Sequence, residues 1–396
     1  MPVIRYPQSG YDFLTRKNAQ RFFESKKTFG ECAISTPFPP HFIQADIGVT
    51  LRYKINKFLH IHLPQGHLSV FHKGMYNQGG NETMPFTAKS GKFSANINTL
   101  TMGTGDKAIV LGGENVLPFY TFDAEIENAP KVGIEITDGG LEAEPECVKK
   151  YYEGCSTVVD MAKKAATFEG VDFLSIHLEG GDPNGENKPI EELINIVKEV
   201  ADAVDLPIVV CGCKNVEKDA EIFAKASEVL SGKNAVMLAA KEENYKNVGA
   251  SAGLAYKQIV GAESADDINL AKQLNVLLTQ LGVDAKSIVM NVGTAAAGYG
   301  YEYVVSTMDR IKAAALQQGD ATLQMPIITP VASETWGVKE SVATEEDMPE
   351  WGDQEARGID MEVETAAADL ASGSNAVILK HPVSVATISK MIKALV

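Results

Sequence analysis

Ser287-Ile-Val-Met-Asn-Val-Gly-Thr-Ala-Ala-Ala-Gly-Tyr-Gly-Tyr-Glu-Tyr303 is the stretch on which the fold turns. A short apolar run ends in a polar, glycine-bearing loop, and the loop opens a long segment rich in Met, Arg and Ala. Strand, loop, helix is the repeating unit of a parallel α/β protein, and in a barrel of such units functional groups gather where strand gives way to helix. Gly293, Gly298 and Gly300 remove side chains where the backbone turns sharply or approaches a ligand. Read alone, the stretch fits a ligand-free βα turn equally well.

Working outward, the same unit recurs. Strand-like runs are Lys131–Ile136, Val171–Leu178, Leu206–Val210, Asn234–Leu238, Gln258–Val260, Ser287–Met290, Met325–Thr329 and Asn375–Leu379. They are short, continuous and often β-branched, as expected of strands buried on both faces. Helical segments separate them: Ile190–Val204, Glu217–Leu230, Ala265–Leu281, Tyr303–Gln317 and Pro382–Leu395. In the first of these, Leu193, Ile194, Val197, Val200, Ala201 and Val204 fall three and four apart, the helical period. Eight strands alternating with helices predict a (β/α)8 barrel of the TIM type over 131–396. Residues 84–130 read as lead-in strands and turns, with Lys107–Leu111 and the Gly112-Gly113 turn ahead of the barrel.

Residues 1–83 are of another kind. They hold ten Lys/Arg and five Asp/Glu, a balance of +5. Of the chain's 36 and 52, this leaves 26 and 47 for residues 84–396, a balance of −21. The shift marks an N-terminal extension. Leu51–Phe58 alternates apolar and basic residues like a strand. The extension reads either as a small appended segment or as upstream translation. Gln78-Gly-Gly is compatible with a purine-rich ribosome-binding sequence three codons before Thr83 ends and Met84 opens Met-Pro-Phe-Thr. Natural initiation at Met84 is therefore expected.

Composition excludes several classes. A net charge of −16 opposes nucleic acid. No apolar run is long enough for a bilayer, and no signal-peptide pattern opens the chain, so no membrane association and a cytoplasmic location are expected. Five cysteines (Cys32, Cys147, Cys155, Cys211, Cys213) form no disulfide framework. Cys211-Gly-Cys213 has no second close pair to complete a zinc or iron–sulfur site. Gly103-Thr-Gly-Asp-Lys-Ala108 lacks the apolar strand a dinucleotide loop requires.

The strand ends supply the candidate rim. In order they are Thr137 and Asp138; His177, Glu179 and Asp182; Cys211 and Cys213; Glu242, Glu243 and Asn244; Glu263 and Ser264; Asn291 and Thr294; Thr329 and Glu334; Lys380 and His381. This rim is polar and acidic and contains no complete catalytic set. His177 reads as a hydrogen-bonded barrel residue, and Asp182 before Pro183 as turn chemistry. The acidic insertion Thr344–Gly352, with Trp351, reads as a solvated loop or a docking surface.

Gly112-Gly-Glu-Asn-Val-Leu-Pro-Phe119, Glu242-Glu-Asn-Tyr-Lys246, Asp267–Asn275, Gly298-Tyr-Gly-Tyr-Glu-Tyr303, Met308-Asp-Arg-Ile311, Trp351-Gly352, Arg357-Gly358 and His381-Pro382 occur in that order. Together they resemble the small (delta) subunit of the corrinoid iron–sulfur protein of the acetyl-CoA decarbonylase/synthase system, from about residue 105 onward. The resemblance implies a place in the reductive acetyl-CoA (Wood–Ljungdahl) pathway of carbon fixation, as one half of a heterodimer. Its large (gamma) subunit carries the iron–sulfur cluster and most of the corrinoid (cobalamin) site. The methyl group arrives from a methyl-pterin methyltransferase and leaves to acetyl-CoA synthase/carbon monoxide dehydrogenase. It implies a shared corrinoid at the subunit interface, no cluster in this chain, and no complete active site of its own.

On that resemblance, the cofactor-facing residues expected are Asn291, Gly293, Thr294, Gly298, Tyr299, Thr329, Trp336 and His381, with the small run Gly293–Ala297 leaving room for a flat macrocycle. Relatives often have Asp-Pro where this chain has Asn291-Val292, so a carboxylate role at that point does not transfer. The alternative is a free-standing pterin-dependent methyltransferase barrel, with Asp138, Asp182 and Asn291 converging on the pterin. A third reading is a scaffold subunit indifferent to corrinoid.

Overall fold

The computed structural model describes residues 91–396. The N-terminal extension 1–83, its strand at Leu51–Phe58 and the expected start at Met84 lie outside the described residues.

Eight parallel strands form the barrel: β3 (Lys131–Thr137), β4 (Phe173–His177), β5 (Ile208–Cys211), β6 (Val236–Ala240), β7 (Ile259–Glu263), β8 (Ile288–Asn291), β9 (Ile328–Pro330) and β10 (Ala376–Leu379). They pair in the order β8-β7-β6-β5-β4-β3-β10-β9. A parallel bridge from Met290 to Ile327 joins the two ends, with the Met290 N–H donating to Pro326 O at 2.8 Å. The sheet is thus closed, and its strands are almost wholly buried.

The principal helices are α1 (Val158–Ala165), α2 (Ile190–Ala203), α3 (Val216–Val229), α4 (Tyr245–Val248, continued by a π segment to Ala255), α5 (Ile268–Leu281), α6 (Tyr301–Gln317), α7 (Gln354–Ser372) and α8 (Pro382–Leu395). Their starts follow cap chemistry. Thr157 and Asp160 form a reciprocal capping box on α1. The Asp267 carboxylate accepts from the N–H groups of Asn269 and Leu270, and Ala265 and Asp266 both have positive φ. Helix α5 therefore begins three residues later than the sequence pattern predicts.

A hairpin ahead of the barrel, β1 (Leu100–Met102) with β2 (Ile109–Leu111), closes one end of it. Leu100, Met102 and Leu111 share one buried cluster with the inward residues Phe173, Val236, Ile259, Val289, Ile328 and Ala376. Gly103 N–H donates to Asn234 O at 2.9 Å, and Asn234 Nδ2 donates to Thr101 O at 2.7 Å. Asn234 precedes β6, so the hairpin seals the end where strands begin. The opposite end, where strands finish, stays open as the mouth. Gly133 in β3 is required by this packing: a Cβ there would lie 2.2 Å from the Phe173 ring.

Candidate functional site

The inner wall changes character along each strand. Val209, Val236, Ile259, Val289 and Ile328 fill the lower barrel. Two to four residues further on, Glu135, His177, Cys211, Glu263 and Asn291 line the mouth, joined by Asp219, Lys241, Lys214 and Ser333 from the loops. The cavity they enclose measures about 60 Å³, room for about two waters. A macrocycle cannot enter it.

A charged chain forms the floor. Lys380, just past β10, lies 3.3 Å from Glu135 Oε1 and 3.1 Å from Glu144 Oε2. His177 Nδ1 stands 3.4 Å from Glu135 Oε2 and 3.3 Å from Glu179 Oε1. Burial alone would raise the Glu135 carboxyl, but Lys380 and His177 overcome that and hold it at about 2. Burial works against the charge of Lys380, and Glu135 and Glu144 outweigh it, raising its pKa. Burial likewise opposes the imidazolium of His177, and Glu135 and Glu179 raise it above its ordinary value. Further round, Lys241 pairs with Glu263 at 3.1 Å and Lys214 with Glu334 at 3.3 Å. The acidic mouth is therefore largely charge-compensated from within.

The thiols are not activated. Burial pushes Cys211 up to about 12 and Cys213 up to about 11, so neither is a thiolate nucleophile near neutral pH. Among the described residues no group of His, Cys, Asp and Glu is arranged to hold a metal ion.

The expected cofactor-facing residues fall into two groups. Asn291 ends β8 and lines the mouth, and its Oδ1 accepts the Gly293 N–H at 3.1 Å. Gly293 and Gly298 have φ of +98° and +88°, and nothing lies within 4 Å of where a Gly298 side chain would start. Tyr299 is exposed, and its hydroxyl donates to Glu340 at 2.5 Å. Thr294 sits on the same loop, with its hydroxyl turned back to Asp369 at 2.8 Å. Thr329, Trp336 and His381 face into the wall instead. The Thr329 hydroxyl meets that of Ser374 at 2.9 Å, and Trp336 stacks on His381 with ring centroids 5.9 Å apart. His381 is fully buried, and its Nδ1 accepts the Val383 N–H to cap α8. Ala296 is buried too, so the open small residues of this loop are Ala295, Ala297 and Gly298.

The loop is held by α7, whose buried face is polar. Thr365 Oγ1 accepts the Ala297 N–H at 3.0 Å, Asp369 accepts the Thr294 hydroxyl, and Glu362 accepts the Lys380 and His381 N–H groups at 2.6 and 3.1 Å. Three side chains spaced three, four and seven apart thus fix two mouth loops from one helix. Burial raises Glu362 to about 7 and Asp369 to about 8.

Sequence reasoning missed Glu135, Asp219, Lys241 and Glu362. Glu135 lies inside a strand, and an acidic residue amid Val-Gly-Ile-Glu-Ile was the available signal. Asp138 and Asp182 do not converge with Asn291. Asp138 pairs with Lys188 at 2.8 Å and accepts the Gly180 N–H, while Asp182 accepts from the Asn184 N–H.

A family model described as the CO dehydrogenase/acetyl-CoA synthase delta subunit matches residues 99–368. The acetyl-CoA decarbonylase/synthase complex subunit delta 2 of Methanosarcina acetivorans is 34% identical over 297 residues, covering 74% of this chain and 67% of that protein. The corresponding delta subunit of Archaeoglobus fulgidus is 33% identical over 300 residues, covering 74% and 65%. Among solved structures, a dihydropteroate synthase from Xanthomonas albilineans aligns over 74% of this chain and 96% of its own at 14% identity, with a TM-score of 0.46.

Proposed function

Because the chain belongs to the CO dehydrogenase/acetyl-CoA synthase delta subunit family, we propose that it helps hold and cover a corrinoid carried mainly by the large (gamma) subunit of a heterodimer. In this reading the corrinoid shuttles a methyl group between a methyl-pterin methyltransferase and acetyl-CoA synthase. Cobalt supplies the bond-making and bond-breaking chemistry when the corrinoid is bound. This chain's residues shape the face it meets.

The observation that carries the reading is the mouth itself: a shallow, polar, charge-compensated surface around a cavity of about 60 Å³, with no activated nucleophile among the described residues lining it. The donor set suits a corrin edge, whose amide arms both donate and accept. Asn291 and Ser333 are neutral groups of both kinds. Ala295, Ala297 and Gly298 keep the adjoining loop low. Glu263 and Glu135 are tied to lysines, so a neutral ligand meets little uncompensated charge. The free-standing pterin methyltransferase is less well supported, because Asp138 is committed to Lys188 and stands outside the mouth lining.

The test is Ala297→Phe in a reconstituted heterodimer. Overpacking a fitted surface costs roughly 1–3 kcal/mol. The variant dimer is expected to assemble with reduced corrinoid content and slower methyl transfer. Wild-type values for both in an assembled dimer would contradict the proposal.

A further inference from the structure

One group in the mouth is built differently from its neighbours. His177 lines the cavity at the end of β4 with its side chain almost wholly buried, yet it is flanked from behind by two carboxylates at 3.4 and 3.3 Å. Both carboxylates stand at ion-pair distance from Nδ1, which makes no hydrogen bond of good geometry. Nε2 has no protein partner among the described residues, and it is the ring nitrogen left for the cavity. A carboxylate this close to Nδ1 favours the protonated ring.

We propose that His177 is the proton-bearing group of the mouth, flanked at Nδ1 by the Glu135 and Glu179 carboxylates and presenting Nε2–H to an acceptor atom of the group that lies across the barrel. The inference rests on the covering role proposed above and adds the polarity of the contact: the atom over the cavity is a hydrogen-bond acceptor.

The surroundings support it. Glu135 faces the imidazole from β3 and stays ionised because Lys380 holds it. Glu179 faces it from just past β4 and is about half exposed, so the chain of carboxylate and imidazole opens to solvent there. Lys380, past β10, opposes protonation, and Glu144 draws that charge away at 3.1 Å. Cys211, the neighbour on β5, remains a neutral thiol. Across the cavity, Glu263 and Lys241 neutralise each other, Lys214 pairs with Glu334, and burial raises the Asp219 carboxyl. Among the described residues lining the mouth, His177 is the one imidazole.

The experiment follows the absorption spectrum of the corrinoid in the reconstituted heterodimer from about pH 5 to 9, for wild type, His177→Gln and Glu179→Gln. The wild type is expected to show a spectral step with its midpoint above 6.5, the ordinary value for His. His177→Gln is expected to bind corrinoid without the step. Glu179→Gln, a change at a half-exposed residue, is expected to fold normally and move the step to lower pH. A step unchanged in both variants, or no step in a corrinoid-loaded wild type, overturns this inference and leaves the covering role standing. A heterodimer that assembles without corrinoid overturns the covering role and this inference with it.

Discussion

Two residues on α7 set the upper end of the chain's expected stability range. Glu362 and Asp369 are fully buried, and burial raises their carboxyls to about 7 and about 8. A carboxyl whose folded pKa lies above its unfolded value contributes stability that is complete at low pH and is lost as pH rises through the folded value. Stability is thus expected to fall from about pH 4, where the unfolded carboxyls ionise, to about pH 8, where the folded ones do, by an amount on the order of several kcal/mol. Glu135 acts with the opposite sign: held at about 2, it contributes stability above its unfolded value that is lost as pH falls toward 2. Melting temperatures of wild type and Glu362→Gln/Asp369→Asn across that range check this. The double variant is expected to flatten that decline, and an equal decline would refute the assignment. Gly133→Ala is the packing counterpart. Its methyl would press the Phe173 ring, which fills the barrel, and overpacking of this kind costs about 1–3 kcal/mol. Denaturant unfolding is expected to show that loss, and Phe173→Leu in the same chain to recover part of it.

At the scale of elements, the hairpin β1–β2 is what closes the lower barrel. Truncating either Leu100 or Leu111 to Ala is expected to destabilise the protein by about 2–5 kcal/mol, with unchanged secondary structure by circular dichroism. A loss under about 0.5 kcal/mol would mean the hairpin is not part of the core. The eight barrel strands were legible because most are short, largely apolar runs rich in β-branched residues. The hairpin was half legible: Ile109–Leu111 stood out, whereas three residues at Leu100–Met102 are too few to show a period. Helix α7 escaped because Glu362, Thr365 and Asp369 occupy its buried face, where apolar period would be sought. The same residues explain why the site was only partly legible. Strand ends located the rim and picked out Asn291 and the loop behind it. They did not reveal that Thr329, Trp336 and His381 turn into the wall, which depends on Ser374, Gly358 and Glu362 from elsewhere in the chain.

For the molecule as a whole, the two ends of the barrel have separate tasks. One is sealed with apolar side chains, and the other presents a shallow polar face. Among the described residues no helix is long and apolar enough to cross a membrane. The proposed role requires the open end, and not the sealed one, to meet the partner. Amide hydrogen exchange on the chain, alone and with the corrinoid-loaded large subunit, measures this most directly. The account predicts new protection in residues 291–300 and in the loops following β5 and β7, with the β1–β2 hairpin unchanged. Protection confined to the hairpin end, with residues 291–300 exchanging as in the free chain, would contradict it.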